Sequence, residues 1–206
     1  MKVSVSFLTS KNIKKDLLKL DSTDANYLHV DVMDKRFVKG KNNPYLALKM
    51  YSSHYRKRLD VHLMVDEPLK YIKKYVSLNT EYITFHVEIK EDLKELINYV
   101  KSYNIKCGLA IKPETPIELL DSYLPFIDQI LVMSVEPGRG GQVFIKKTEE
   151  RVKKIKKMVK DYPILVSVDG GINEETRKMV KEADMVVSGT YILSSDNYQE
   201  RIDDLR

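Results

Sequence analysis

Short apolar runs and longer amphipathic stretches alternate along the whole of this chain. The apolar runs cover Lys2 to Phe7, Tyr27 to Val32, Leu59 to Met64, Tyr82 to His86, Lys106 to Ile111, Gln129 to Val135, Ile164 to Val168 and Met185 to Ser188. Each has strand length, and each is apolar nearly throughout, as expected of strands covered on both faces of a parallel sheet. Between them the period changes. Ile13, Leu17 and Leu20 recur at helical spacing, as do Leu93, Leu96, Ile97 and Val100, and then Val152, Ile155 and Val159. The spacing predicts helices over Lys11 to Leu20, Pro44 to Tyr51, Glu67 to Tyr75 and Glu91 to Tyr103. A fifth is expected to be capped by Thr115-Pro116-Ile117-Glu118, a sixth lies in the basic stretch Lys146 to Lys160, and a seventh starts at Asn173 with Glu174 and Glu175 in its first turn. Short helical pieces close the chain. Eight strands each followed by a helix predict an α/β protein, a (β/α)8 barrel formed as one domain over residues 1–206. An open doubly wound sheet is the alternative, and it is weakened because no Gly-x-Gly-x-x-Gly follows the first run.

The polar residues that interrupt this pattern sit at the ends of the apolar runs. In His29-Val30-Asp31-Val32-Met33-Asp34 strand alternation puts His29, Asp31 and Met33 on one face. Asp60-Val61-His62-Leu63-Met64, His86 and Val168-Asp169-Gly170-Gly171 repeat the design. Taken one at a time these are ordinary satisfied polar groups. Four on one rim, His29, Asp31, His62 and Asp169, suit one divalent metal ion, zinc, iron, manganese or cobalt. His86 either joins them or is a core histidine. Gly138, Gly140 and Gly141 follow the sixth run, Gly170 and Gly171 the seventh, and Gly189-Thr190 the eighth. Glycines make tight turns, but three glycine loops on adjacent strands also let backbone N–H groups close on an anion, a recurrent barrel feature. Met33, Met64 and Met133 are core filler by type. Met33 and Met64 share a face with Asp31 and His62, so they are expected to line the same cavity.

Composition narrows the partners. Thirty-five basic against 30 acidic residues leave a net charge of +5, which admits nucleic acid or a phosphorylated small molecule. The densest basic run, Lys146 to Lys160, carries an apolar stripe and so reads as a solvated helix face. Aromatic residues are not interleaved with it, which argues against a nucleic-acid groove. The single Cys107 allows no intramolecular disulfide and fits a reducing, cytoplasmic setting. The opening Met1 to Ser6 has no long apolar core, so neither a signal peptide nor a membrane span is expected.

Together these residues resemble the ribulose-phosphate 3-epimerase family. The resemblance is carried by Val5-Ser6-Phe7-Leu8, His29 to Asp34, Asp60 to Val65, Ile83-Thr84-Phe85-His86, Val135 to Gln142 and Val168 to Ile172, in the family's order and spanning nearly the whole chain. It implies a (β/α)8 barrel that interconverts D-ribulose 5-phosphate and D-xylulose 5-phosphate. By the same resemblance His29, Asp31, His62 and Asp169 are the metal ligands, Asp31 and Asp169 the acid/base pair, and Ser6 a substrate contact. Gly138, Arg139, Gly140, Gly141, Gly170, Gly171, Gly189 and Thr190 surround the phosphate, and members are commonly homo-oligomers. The chain departs from the family pattern at Lys35, at Lys39-Gly40, at Arg139 in place of an aromatic residue, and at Thr190-Tyr191. None of these departures removes a ligand or carboxylate. A ketohexose-6-phosphate 3-epimerase and an inactive sugar-phosphate-binding barrel are the other readings. A decarboxylase on a similar barrel would want a lysine between the two aspartates of Asp31-Val32-Met33-Asp34.

Overall fold

The computed structural model describes all 206 residues. Eight parallel strands close into a barrel: β1 (Lys2–Ser6), β2 (Tyr27–Asp34), β4 (Leu59–Met64), β5 (Thr80–His86), β6 (Lys106–Ile111), β7 (Gln129–Met133), β8 (Leu165–Asp169) and β9 (Met185–Ser188), with β9 pairing back onto β1. This is the (β/α)8 barrel that the alternation predicts. Helices α1 (Ile13–Asp21), α2 (Tyr45–Met50), α3 (Pro68–Tyr75), α4 (Leu93–Lys101), α5 (Thr148–Met158), α6 (Glu174–Met179), α7 (Thr190–Leu193) and α8 (Tyr198–Asp203) pack outside it. Alternation along the strands does the sorting. Val30, Val32, Val61 and Leu63 face outward into a core of 47 buried residues shared with the helices, while Ser4, His29, Asp60, Thr84 and Gln129 fill the interior.

Helix starts follow their sequence signals in most places. Asn12 and Asp92 cap α1 and α4 with their side chains. Asn173 forms a capping box with Thr176 and places Glu174 and Glu175 in the first turn of α6. The basic helix α5 turns Val152 and Ile155 inward and leaves its lysines to solvent and to surface pairs such as Lys153–Glu149 at 2.8 Å.

Two elements differ from the expectation. The segment after β6 is a 3-10 helix, Ile117–Phe126, without a side-chain cap. Pro125 lies inside it and removes a backbone donor, and Thr115 spends its hydroxyl on Glu88 instead of capping. The other is β3 (Lys41–Asn42), which pairs antiparallel with the end of β2 and makes a hairpin over the barrel mouth. It is two residues long and polar, so it has no periodicity to read. Lys35 opens the hairpin loop at φ +66°, the left-handed region that favours glycine.

Candidate active site

Register brings the polar strand ends together. His29 lies beside Asp60, Asp31 beside His62, and Met33 beside Met64. Across the mouth, Asp169 ends β8, where the Ser134 hydroxyl donates to its backbone carbonyl at 2.8 Å. The result is one compact cluster. One ligand atom each from His29, Asp31, His62 and Asp169 falls within 4.8 Å of the others. His29 Nε2 stands 3.6 Å from Asp31 Oδ1 and 3.8 Å from Asp169 Oδ2, and His62 Nδ1 stands 3.7 and 3.6 Å from the same oxygens. Ligands at tetrahedral zinc distances would be about 3.4 Å apart, a few tenths of an ångström closer.

The donor set fits a cation in a second way. His29 Nε2 and His62 Nδ1 are buried and have no hydrogen-bond partner. A buried polar nitrogen with no partner is costly, and both of these aim at the two carboxylate oxygens. The cluster can therefore hold a metal ion. Electrostatics agree that positive charge belongs here. Burial works to lower the His29 pKa, but the charges of Asp60 and Asp31 outweigh it and hold the imidazole well above its usual range. His62 is likewise raised against burial, by the carboxylates of Asp169 and Asp31 that face it. Burial works to raise the Asp31 pKa, and the opposing charge of His29, with that of His62, holds it well below the usual carboxylate range. Protonated imidazoles supply the positive charge in one way and a divalent cation does so in another.

Asp31, His29 and His62 are each held from behind. Ser6 Oγ donates to Asp31 Oδ2 at 2.7 Å, leaving Oδ1 for the cluster, and Asn42 on β3 donates to the Asp31 carbonyl at 2.6 Å. Asp60 Oδ2 accepts from His29 Nδ1 and from Ser4 Oγ, both at 2.8 Å. His62 Nε2 meets His86 Nε2 at 2.9 Å, and His86 Nδ1 meets Glu88 Oε2 at 3.0 Å. Burial takes the His86 imidazole down to about 4, against the pull of Glu88. Burial works against the Glu88 carboxylate, but His86, the Lys112 N–H and Thr115 bring it to about 2. His86 is thus neither a fifth member of the cluster nor idle core. Asp60, Glu88 and Asn42 are site residues that sequence reasoning left unassigned. A signal existed for the first two: Asp60-x-His62 and His86-x-Glu88 share the spacing of His29-x-Asp31.

Above the cluster a cavity of about 520 Å³ opens to solvent. Asp31 and Asp169 form part of its wall, together with Ser6, Met33, Met64 and Met133. Arg139, Thr190 and the glycines singled out in the sequence, Gly138, Gly140, Gly141, Gly170, Gly171 and Gly189, line the rest. His29 and His62 lie behind the wall. Gly171 sits at φ +64°, and a Cβ there would come within 2.7 Å of the Phe144 backbone nitrogen. Gly40 in the β2–β3 loop packs against the Gly138 carbonyl so closely that no side chain fits. The hairpin and the glycine loop after β7 therefore meet over the cavity. Arg139 is exposed on that loop.

The family model described as ribulose-phosphate 3 epimerase family matches residues 2–193. This chain belongs to the ribulose-phosphate 3-epimerase family. Relatives named ribulose-phosphate 3-epimerase include those of Schizosaccharomyces pombe, 34% identical over 201 residues (95% of this chain, 87% of the relative), and Bacillus subtilis, 30% identical over 209 residues (99% and 95%). That of Chlamydia muridarum is 32% identical over 191 residues (89% and 84%). Among solved structures, tryptophan synthase subunit alpha from Campylobacter jejuni superposes with a TM-score of 0.67 at 18% identity, covering 100% of this chain and 95% of that one. Phosphoribosyl anthranilate isomerase from Thermus thermophilus gives 0.62 at 13%, covering 100% and 96%. At those identities the likeness is one of fold. As a ribulose-phosphate 3-epimerase family enzyme the chain acts on a small molecule, and none of its helices is long and apolar enough to cross a membrane.

Proposed function

We propose that this epimerase interconverts D-ribulose 5-phosphate and D-xylulose 5-phosphate, with Asp31 and Asp169 as its acid/base pair and one divalent metal ion held by His29, Asp31, His62 and Asp169. Epimerisation beside a ketone removes the C3 proton and returns one on the other face through an enediolate, so two proton carriers must flank the carbon. The observation that carries this reading is the placement of Asp31 and Asp169. They come from β2 and β8, separated round the ring by β1 and β9, and both line the cavity. Asp31 lines the cavity with its carboxylate fixed by the Ser6 hydroxyl on Oδ2. Asp169 is the most exposed of the four, with 16% of its side chain open, and so reaches substrate from the opposite side. When bound, a divalent cation supplies Lewis-acid stabilisation of negative charge on the substrate oxygens. Met33, Met64 and Met133 are nearly fully buried and present apolar surface beside the carboxylates, which limits water there. The glycine loops after β7, β8 and β9 line the cavity with Arg139 and Thr190, and their backbone N–H groups hold the substrate phosphate.

Turnover measured in D2O tests this reading. Purified protein is expected to carry about one divalent ion per chain, to act on ribulose 5-phosphate in preference to a ketohexose 6-phosphate, and to place solvent deuterium at C3 of the product. Epimerisation without C3 exchange would exclude the proton-transfer mechanism. Full activity after exhaustive chelation, with no metal detected, would exclude the metal.

A further inference from the structure

The two imidazoles of the cluster are held differently. His29 donates straight to a carboxylate, Asp60. His62 meets another histidine, and only that histidine, His86, meets a carboxylate, Glu88. A hydrogen bond between two imidazole nitrogens has no direction of its own, because either ring can donate. Something must set it.

Glu88 has the groups to do so. Its Oε1 accepts from the Lys112 backbone N–H at 2.8 Å and from the Thr115 hydroxyl, so those two donors occupy one oxygen. The other, Oε2, faces His86 Nδ1. An ionised carboxylate only accepts, so His86 carries its proton on Nδ1 and leaves Nε2 as an acceptor. His62 Nε2 must then be the donor, which leaves the lone pair of a neutral His62 on Nδ1, the atom aimed at Asp31 and Asp169. The arrangement is rigid. His62 and His86 are fully buried, and their rings lie 5.1 Å apart at 29°. Phe37 of the β2–β3 loop covers His86 at 4.8 Å, and Lys112 Nζ lies 4.1 Å over the Phe37 ring.

We propose that Glu88 is a positioning residue of the metal centre: through His86 it sets the proton order that presents His62 Nδ1 bare to the cation. The proposal rests on the metal reading given above. A purely structural role is the competing account, because Glu88 also clasps the loop after β6, where Arg151 binds the carbonyls of Lys112 and Thr115.

Glu88→Gln separates the two. The amide oxygen can keep the Lys112 and Thr115 donors, which turns the amide NH2 toward His86 Nδ1. Donor would face donor, and relief requires the relay to reverse, putting a proton on His62 Nδ1. The probe is zinc alone, titrated into the full chain against a competing chelator. Glu88→Gln is expected to weaken zinc binding by about 10–100-fold, the usual scale for groups that orient a metal ligand. Thr115→Val, which loosens the clasp and leaves the relay intact, should lower Tm and keep zinc affinity. Nitrogen-15 NMR of the zinc-loaded wild type should find the His86 proton on Nδ1, a readout that needs no variant to fold. Zinc binding in Glu88→Gln as tight as in the wild type would overturn the proposal. So would an equal loss of affinity in Thr115→Val, or a His86 proton on Nε2. Failure of the wild type itself to bind zinc would overturn the metal reading, and this proposal with it.

Discussion

The two halves of the barrel mouth are built from different materials. On the side of β1, β2, β4 and β5 the chemistry is in side chains. They alternate strictly inward, are nearly all buried, and are tied in chains: Ser4 to Asp60 to His29, Ser6 to Asp31, and Glu88 to His86 to His62. On the side of β7, β8 and β9 the wall is glycine backbone in loops, and Gly140 and Gly141 are exposed. Asp169 at the tip of β8 belongs to both halves. On the proposed function, the difference follows from the charges each half would meet. A cation needs fixed lone pairs on a rigid frame, which strands with buried neighbours provide. A phosphate needs several N–H groups converging on one point, which a chain free of Cβ atoms provides best. Substitutions should therefore act on rate and metal in the first half, and on substrate affinity in the second.

The largest effect is expected where the halves join. Asp169→Asn should keep the fold and lower turnover by at least about 10³, because one face of the substrate loses its proton carrier. Asp31→Asn should do the same. Turnover is the measurement, with metal content checked in both, and a loss explained entirely by missing metal would move these residues from proton transfer to ligation.

Gly171→Ala probes the backbone half. Its φ of +64° disfavours any side chain, and a Cβ would press on the Phe144 nitrogen and the Gln142 carbonyl, at 2.7 and 2.8 Å. A cost of about 2–3 kcal/mol, the scale of a strained left-handed residue, should show as a raised KM and a lower Tm with metal still bound. An equal fall in metal affinity would show that the halves are not independent.

Arg139→Ala is the milder test of the same half. The guanidinium is exposed on the loop after β7, within the cavity wall. A phosphate contact there should be worth about tenfold in KM, on the order of 1–3 kcal/mol. The effect should shrink as salt rises and leave turnover nearly unchanged. An unchanged KM at low salt would assign phosphate binding to the backbone alone.

The smallest effect belongs to the hairpin that bridges the halves. Asp34 accepts from the backbone N–H groups of Arg36 and Phe37 at 2.8 and 3.0 Å, and from that of Asp66 at 2.8 Å. Burial acts to raise its pKa, but these bonds outweigh it and hold the carboxyl below its ordinary 3.8. A lowered folded-state pKa means stability that is fully present above the ordinary value and lost as pH falls through the folded one. Wild type should therefore exceed Asp34→Asn in Tm by a constant margin at neutral pH, and the margin should close as pH drops below 3.8. A margin that persists unchanged in acid would show that the ionised form contributes nothing.

The barrel and the four clustered residues were legible in the sequence for a physical reason. Strand and helix periods are local, and a polar group ending an apolar run is conspicuous because a strand buried on both faces seldom carries one. Inward alternation alone placed His29, Asp31 and Met33 on one face. Sequence by itself determined the fold, the loops that bear glycine and the residues facing the mouth. Tertiary structure decided the partners. Whether Asp60 serves His29 or His62, and whether His86 is a ligand or a relay, depends on the register between β2, β4 and β5, which pairs residues 31 and 24 positions apart. No local pattern encodes that. The two-residue β3 and the 3-10 turn over Ile117–Phe126 escaped for the opposite reason. They are held by neighbours, β3 by its pairing with the end of β2, and shaped by Pro125 rather than by a period of their own.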